Sequence, residues 1–234
     1  MNVAVRGGDD DDLAAIAVGG GSVVDEDAPH DALVAIGDDA IRSLTTDSAS
    51  APVLPVTPDD GRHRVARDSL DGAIAALAAG DRRLDTHPVL GLSREGSAVA
   101  RALRDVTFVT DAPASISEYA VATGGERLDS VRADGFVVAT PLGSDGYAGT
   151  AGGSVLEAGT GVTVVPIAPF STSAETYVVD PTPDAPLSVS VERDGAVALI
   201  ADGVRYGAVD RGATLQVERV DAIDLVLPTR TENF

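Results

Sequence analysis

The chain has no cysteine and no lysine, holds three histidines in 234 residues, and contains no apolar run near the length of a membrane span. The lack of Cys rules out a disulfide framework, a thiol nucleophile and a thiolate-ligated zinc, and argues against redox chemistry by the protein's own groups. His30, His63 and His87 show no paired spacing suited to a metal site, so metal ligands stay unassigned. A spanning helix needs about 20 apolar residues, and the N-terminus lacks a basic stretch followed by a hydrophobic core. A cytoplasmic location is the expectation, with no membrane partner.

With lysine missing, all 17 basic residues are Arg, set against 37 acidic ones for a formal net charge of −20. Asp outnumbers Glu 28 to 9. Such a chain repels itself in dilute buffer, whereas molar salt shortens the Debye length to about 3 Å and removes most of that penalty. The composition reads as the hydrated acidic coat of a halophilic protein. Nucleic acid and anionic membranes carry the same sign of charge and are excluded as partners.

What is present suffices for a core, because 44% of the residues are hydrophobic and the length allows one domain or two smaller ones. In the first hundred residues, apolar runs at 2–6, 32–36 and 53–56 alternate with helical patterns beginning near Leu13, Ile41 and Ser69. Beyond residue 100 come short β-branched runs at 106–109, 117–122, 136–140, 162–168, 176–179, 187–191, 196–200, 215–218 and 223–227. The change of pattern predicts an α/β part followed by an all-β part, joined near residues 93–101.

Two segments carry chemistry. Gly37, Asp38 and Asp39 follow a strand and open a helix, where free N–H groups of α/β folds hold phosphate and a carboxylate can take a hydroxyl proton. The same residues also read as an ordinary acidic helix start. The second segment is Asp134-Gly135, the apolar run to Ala139, then Thr140-Pro141-Leu142-Gly143-Ser144-Asp145-Gly146-Tyr147 and Ala151-Gly152-Gly153. Small residues there let a ligand approach the backbone, and Tyr147 either stacks on a base or fills the core.

With these residues in place, the chain resembles an NAD kinase of the ATP- or polyphosphate-dependent type. The stretch from Asp134 to Gly153 resembles that family's Asp-Gly, strand, Thr-Pro-x-Gly-Ser-x-x-Tyr, Ala-Gly-Gly signature. Pro166-Ile167-Ala168-Pro169 with Ser171 and Ser173, the Asp202-Gly203 turn, Ala102-Leu103-Arg104-Asp105-Val106 and Gly37-Asp38 fall in matching order. There are departures. Ile36, Asp39 and Ala40 replace Gly, Gly and Thr of Gly-Gly-Asp-Gly-Thr, adding bulk and a negative charge, and Arg104 replaces an Asn.

The resemblance implies a Rossmann-like N-terminal domain over residues 1–98, a β-sandwich-like domain over 99–228 that binds NAD, and a short tail at 229–234. It also implies a nucleotide site between the domains and assembly into a homo-oligomer, a dimer or tetramer. The implied reaction is phosphoryl transfer from ATP or polyphosphate, with Mg²⁺ or another divalent cation, to the adenosine ribose 2'-hydroxyl of NAD. Asp38 would be the base. Gly37 and Asp39 would flank the phosphates. Arg104, Asp105, Asp134, Gly143, Ser144, Asp145, Gly146 and Tyr147 would contact nucleotide. The competing reading is a non-catalytic NAD(P)-binding paralogue, a sensor or a partner of an active kinase. A lipid-type kinase with a similar Gly-Asp-Gly turn is disfavoured by the Thr140–Gly153 segment.

Overall fold

In the computed structural model, which describes residues 1–47, 49–111, 116–171, 173–193 and 197–229, the chain divides into two units, Met1–His87 with a segment beginning at Ile223, and Pro88–Ala222. The first unit is built from β1 (Asn2–Gly7), α1 (Asp10–Val18), β2 (Ser22–Val23), β3 (Ala32–Ile36), α2 (Asp38–Ser43), β4 (Val53–Thr57), β5 (Val65–Ala66) and α3 (Leu70–Ala78). These strands pair in parallel in the order β2-β1-β3-β4-β5. Every residue of β3 and β4 is buried, as a parallel sheet covered on both faces requires.

Local chemistry sets the helices. Leu70, Ala73, Ile74 and Leu77 recur at helical spacing and form the buried stripe of α3. Helix α1 starts in a capping box, in which the Asp9 side chain accepts from the Asp11 and Asp12 amides and Asp12 accepts from the Asp9 amide. Asp12 is nearly inaccessible, and Arg67 meets it with two bonds, Nε at 2.7 Å and Nη2 at 2.6 Å. A two-pronged guanidinium is the partner a buried carboxylate needs.

The second unit contains β6 (Arg82–Arg94, shared with the first), β7 (Ser97–Ala102), β8 (Asp105–Thr110), β9 (Ser117–Thr123), β10 (Glu126–Ala133) and β11 (Gly135–Ala139). It continues with α4 (Tyr147–Thr150), β12 (Val162–Ile167), β13 (Tyr177–Val179), β14 (Leu187–Arg193), β15 (Val197–Ala201), β16 (Val204–Val209) and β17 (Thr214–Pro228). One antiparallel array runs β10-β9-β14-β17 and the other β13-β12-β11-β8-β15-β16. Alternate residues of both meet in one core: Val106, Phe108, Phe136 and Val138 from one array, Tyr119, Val121, Val189 and Leu215 from the other. Tyr119 and Phe136 meet edge to face at 5.5 Å. The opposite face of β11, Val137 and Ala139, packs with Val165 and with Ala148 of α4. The expected α/β part followed by a β-sandwich is what forms.

The boundary differs from the expected 1–98 and 99–228. Residues 88–98 group with the sandwich, while the chain from Ile223 returns to the first unit, where Leu225 pairs in parallel with Val53. Long strands with exposed stretches explain it. The runs at 215–218 and 223–227 are one strand, β17, whose polar middle around Arg219 to Asp221 looks like a loop in the sequence. Of the tail expected at 229–234, residues 230–234 lie outside the described residues. No described helix is long and apolar enough to cross a membrane.

Candidate functional site

The expected site residues fall into two groups, one on each unit. On the first, Gly37 closes β3 with φ 86° and caps α2, a conformation that a side chain disfavours. Its amide bonds the Val56 carbonyl at 2.9 Å and its carbonyl accepts from the Ile41 amide at 3.1 Å, so the turn is tied to the sheet and to the helix. Asp38 and Asp39 are therefore exposed side by side in the first turn of α2. The Asp39 side chain is 91% exposed and accepts from Arg42 Nη2 at 2.5 Å, a partner one turn on that offsets its charge. The bulk of Ile36 is accommodated by Gly8, where a Cβ would come within 2.9 Å of Ile36 Cδ1.

On the second unit, buried Asp202 organises the group. Its Oδ2 accepts from the Leu103 amide at 2.8 Å, and its Oδ1 from the Arg104 and Asp105 amides at 2.8 and 3.1 Å. In return the Asp202 amide donates to the Asp105 carbonyl at 2.9 Å. From the other side, Thr140 Oγ1 donates to the Leu103 carbonyl at 2.6 Å and the Thr140 amide to the Arg104 carbonyl at 2.8 Å. Gly143 then packs so close that a Cβ would lie 2.3 Å from the Arg104 carbonyl oxygen. Arg104 and Asp105 are thus held against the Thr140–Gly143 turn by bonds on both flanks.

The Asp105 carboxyl is mostly buried, and this desolvation, followed by the nearby Asp202 charge, raises its pKa to about 6 against the opposing pull of Arg104 and the Thr107 hydroxyl. At neutral pH its ionised form therefore carries an energetic cost to the fold. Ser144 is fully buried; its Oγ donates to the Pro141 carbonyl at 2.8 Å and accepts from the Leu156 amide at 2.9 Å, which commits the hydroxyl to shaping the turn. Tyr147 is 45% exposed at the start of α4, so the core-filler reading fails and Ala148 does that work. Asp145 and Gly146 sit half-buried in the same turn. Asp134, half-buried between β10 and β11, bonds through its backbone to Ile167 and Thr110.

Two features escaped the sequence. Asp202 was visible only as an Asp-Gly turn, and its φ of 46° suits that turn, but nothing local reveals that its carboxylate reaches back 98 residues to Arg104. The histidines show no paired spacing along the chain, but the fold brings the rings of His63 and His87 to 4.6 Å beside Asp85.

Comparisons with known proteins agree with this picture. The family model described as the ATP-NAD kinase C-terminal domain matches residues 103–222, which includes Arg104, Asp105, the Thr140–Tyr147 turn and Asp202. A protein named NAD kinase from Methanopyrus kandleri is 33% identical over 156 residues, 66% of this chain and 55% of its own length. Another so named, from Methanoculleus marisnigri, is 27% identical over 216 residues, 91% of this chain and 79% of its own. The fold is shared with the NAD kinase from Archaeoglobus fulgidus solved with ATP, at TM-score 0.67 and 24% identity over 100% of this chain and 96% of that one. It is shared also with yeast NADH kinase solved with NADH, at TM-score 0.73 and 17% identity over 100% and 84%.

Proposed function

We propose that this chain, which belongs to the NAD kinase family, transfers the terminal phosphoryl group of ATP or polyphosphate to the adenosine ribose 2'-hydroxyl of NAD, giving NADP. The observation that carries the reading is the Asp202 clamp, three consecutive amides held by one buried carboxylate, which presents Asp105 beside the glycine-rich turn. A preorganised wall of this kind fixes a sugar hydroxyl without reordering at the moment of reaction. Asp105 accepts hydrogen bonds from hydroxyls of the dinucleotide, Tyr147 offers its exposed ring to the adenine, Gly143 lets the turn close on Arg104, and Asp145 and Gly146 meet the ligand from that turn. Ser144 keeps that turn in shape. Asp134 contacts ligand from its turn before β11.

In the transfer step Asp38 orients the 2'-hydroxyl and takes its proton while the 2'-oxygen forms a bond to the terminal phosphorus. The bond from that phosphorus to the bridging oxygen breaks, leaving ADP or the shortened polyphosphate. The donor enters as its complex with Mg²⁺ or another divalent cation, which offsets phosphate charge. Gly37 and Asp39 flank the phosphates, and Arg42 tempers Asp39. Relatives named NAD kinase support turnover over a binding-only role. The Lys-free acidic coat supports a halophilic enzyme of the cytoplasm, and family membership supports a homo-oligomer.

The test is NADP formation from NAD and ATP with Mg²⁺ in multimolar KCl, comparing the parent with Asp38→Asn. Removing the base should lower the rate by roughly 100-fold or more with the melting temperature unchanged. A parent that makes no NADP, or a variant as fast as the parent, refutes the assignment.

A further inference from the structure

We propose that His63, Asp85 and His87 form a binding site for a first-row transition-metal dication such as Zn²⁺, independent of the transferase chemistry. One ligand atom from each residue lies within 4.8 Å of the other two. Asp85 and His87 are two apart on β6, so strand alternation sends both side chains to the same face. His63 arrives from the loop between β4 and β5, whose Gly61–Arg64 bridge holds the turn that presents it. Tetrahedral bonds of about 2.0–2.2 Å set ligand atoms about 3.3–3.6 Å apart, so the three must draw together by about an ångström to close on a metal.

Burial makes the metal reading stronger than a packing role. His63 and His87 are 1% and 0% exposed, and neither ring nitrogen of His87 has a hydrogen-bond partner. A neutral imidazole carries one donor and one acceptor, and an apolar side chain would fill the same space without stranding them. A metal ion gives the stranded lone pair a partner. Arg83 supplies an outer shell, bonding the Asp85 carboxylate and donating through Nη2 to the Arg62 carbonyl at 2.8 Å.

The surroundings also set selectivity. Arg83, Arg62 and Arg64 line a cavity of about 280 Å³ in the same unit, with Asp60 the one acid on its wall. Their charge disfavours a cation held by electrostatics alone. Bonds from imidazole nitrogen must overcome it, which selects Zn²⁺, Co²⁺ or Ni²⁺ and rejects Mg²⁺. Three protein ligands leave a fourth position for water.

The full chain, stripped with chelator and held in molar KCl to suppress binding by surface carboxylates, should bind one equivalent of Zn²⁺ in competition with a chromophoric chelator. With Co²⁺ it should show the visible bands of a tetrahedral site. Zn²⁺ should raise the melting temperature, and Mg²⁺ at the same concentration should not. His63→Leu and His87→Leu keep the volume apolar and should each weaken Zn²⁺ binding by 100-fold or more. Should a Leu variant fail to fold, Asp85→Asn at the half-buried position serves, with an expected loss of at least 10-fold. The proposal is overturned by absent Co²⁺ bands, by equal shifts with Zn²⁺ and Mg²⁺, or by folded variants that bind Zn²⁺ as the parent does. None of these readouts depends on kinase activity.

Discussion

Replacing Asp105 by Asn should stabilise the ligand-free protein at pH 8 and do so progressively less as the pH falls. Folding raises the Asp105 pKa from the ordinary 3.8 to about 6, first through burial and second through the Asp202 charge. A raised carboxyl pKa means that the fold favours the protonated form. The contribution of that form is fully present below about pH 3.8 and is lost as the pH rises through about 6, so above that value ionised Asp105 opposes folding. A shift of about 2 pH units corresponds to about 3 kcal/mol at most. Molar salt screens the part due to Asp202 and the carboxyl keeps some contact with solvent, which leaves about 1–2 kcal/mol.

Asn has the same shape and no charge, so it escapes both the burial cost and the Asp202 charge. For a chain of this size the gain amounts to a rise of about 3–6 °C in melting temperature. At pH 5 about half of it should remain. Scanning calorimetry in multimolar KCl at the two pH values measures both numbers, and calorimetric titration with NAD should show weaker binding by the stabilised variant. That opposition is the signature of a group strained for function. A variant that melts below the parent at pH 8, or that differs from it equally at pH 8 and pH 5, refutes the argument.

Other outcomes follow from the same geometry. Tyr147→Ala should weaken NAD binding by about 1–3 kcal/mol with little change in melting temperature, since the ring is exposed and available to stack; unchanged affinity removes the ring from the ligand site. Gly143→Ala places a methyl against the Arg104 carbonyl, and relief of that 2.3 Å approach should cost about 1–3 kcal/mol of stability and lower NAD affinity together. Equal melting temperature and affinity would show that the turn yields freely. The melting temperature of the parent should rise between dilute buffer and multimolar KCl, because a formal charge of −20 is unscreened at low salt. A flat response would remove the halophilic reading.

Buried strands were legible because they read the same locally and globally. Runs such as Ala32–Ile36 and Gly135–Ala139 are covered on both faces, so nearly every residue is apolar and the segment declares itself. Several strands with a wet face did not. Charged or polar residues interrupt the apolar ones in β6, β10 and β16, and Arg82–Arg94 or Glu126–Ala133 reads as a loop until a partner strand fixes which side faces water. The same limit separates the two halves of the site. The turn around Gly143 and Tyr147 is contiguous, so its glycines, its proline and its ring appear as one pattern. Asp202 and the His63–His87 pair act at a distance: their partners are 98 and 24 residues away, and neither spacing means anything before the strands are paired. Among the described residues only two acids are buried, Asp12, which Arg67 meets, and Asp202, whose carboxylate holds backbone amides and so makes it a positioning residue. In such a chain composition hides the few acids that matter, and burial with hydrogen bonds to three amides is the property that separates Asp202 from the acidic coat.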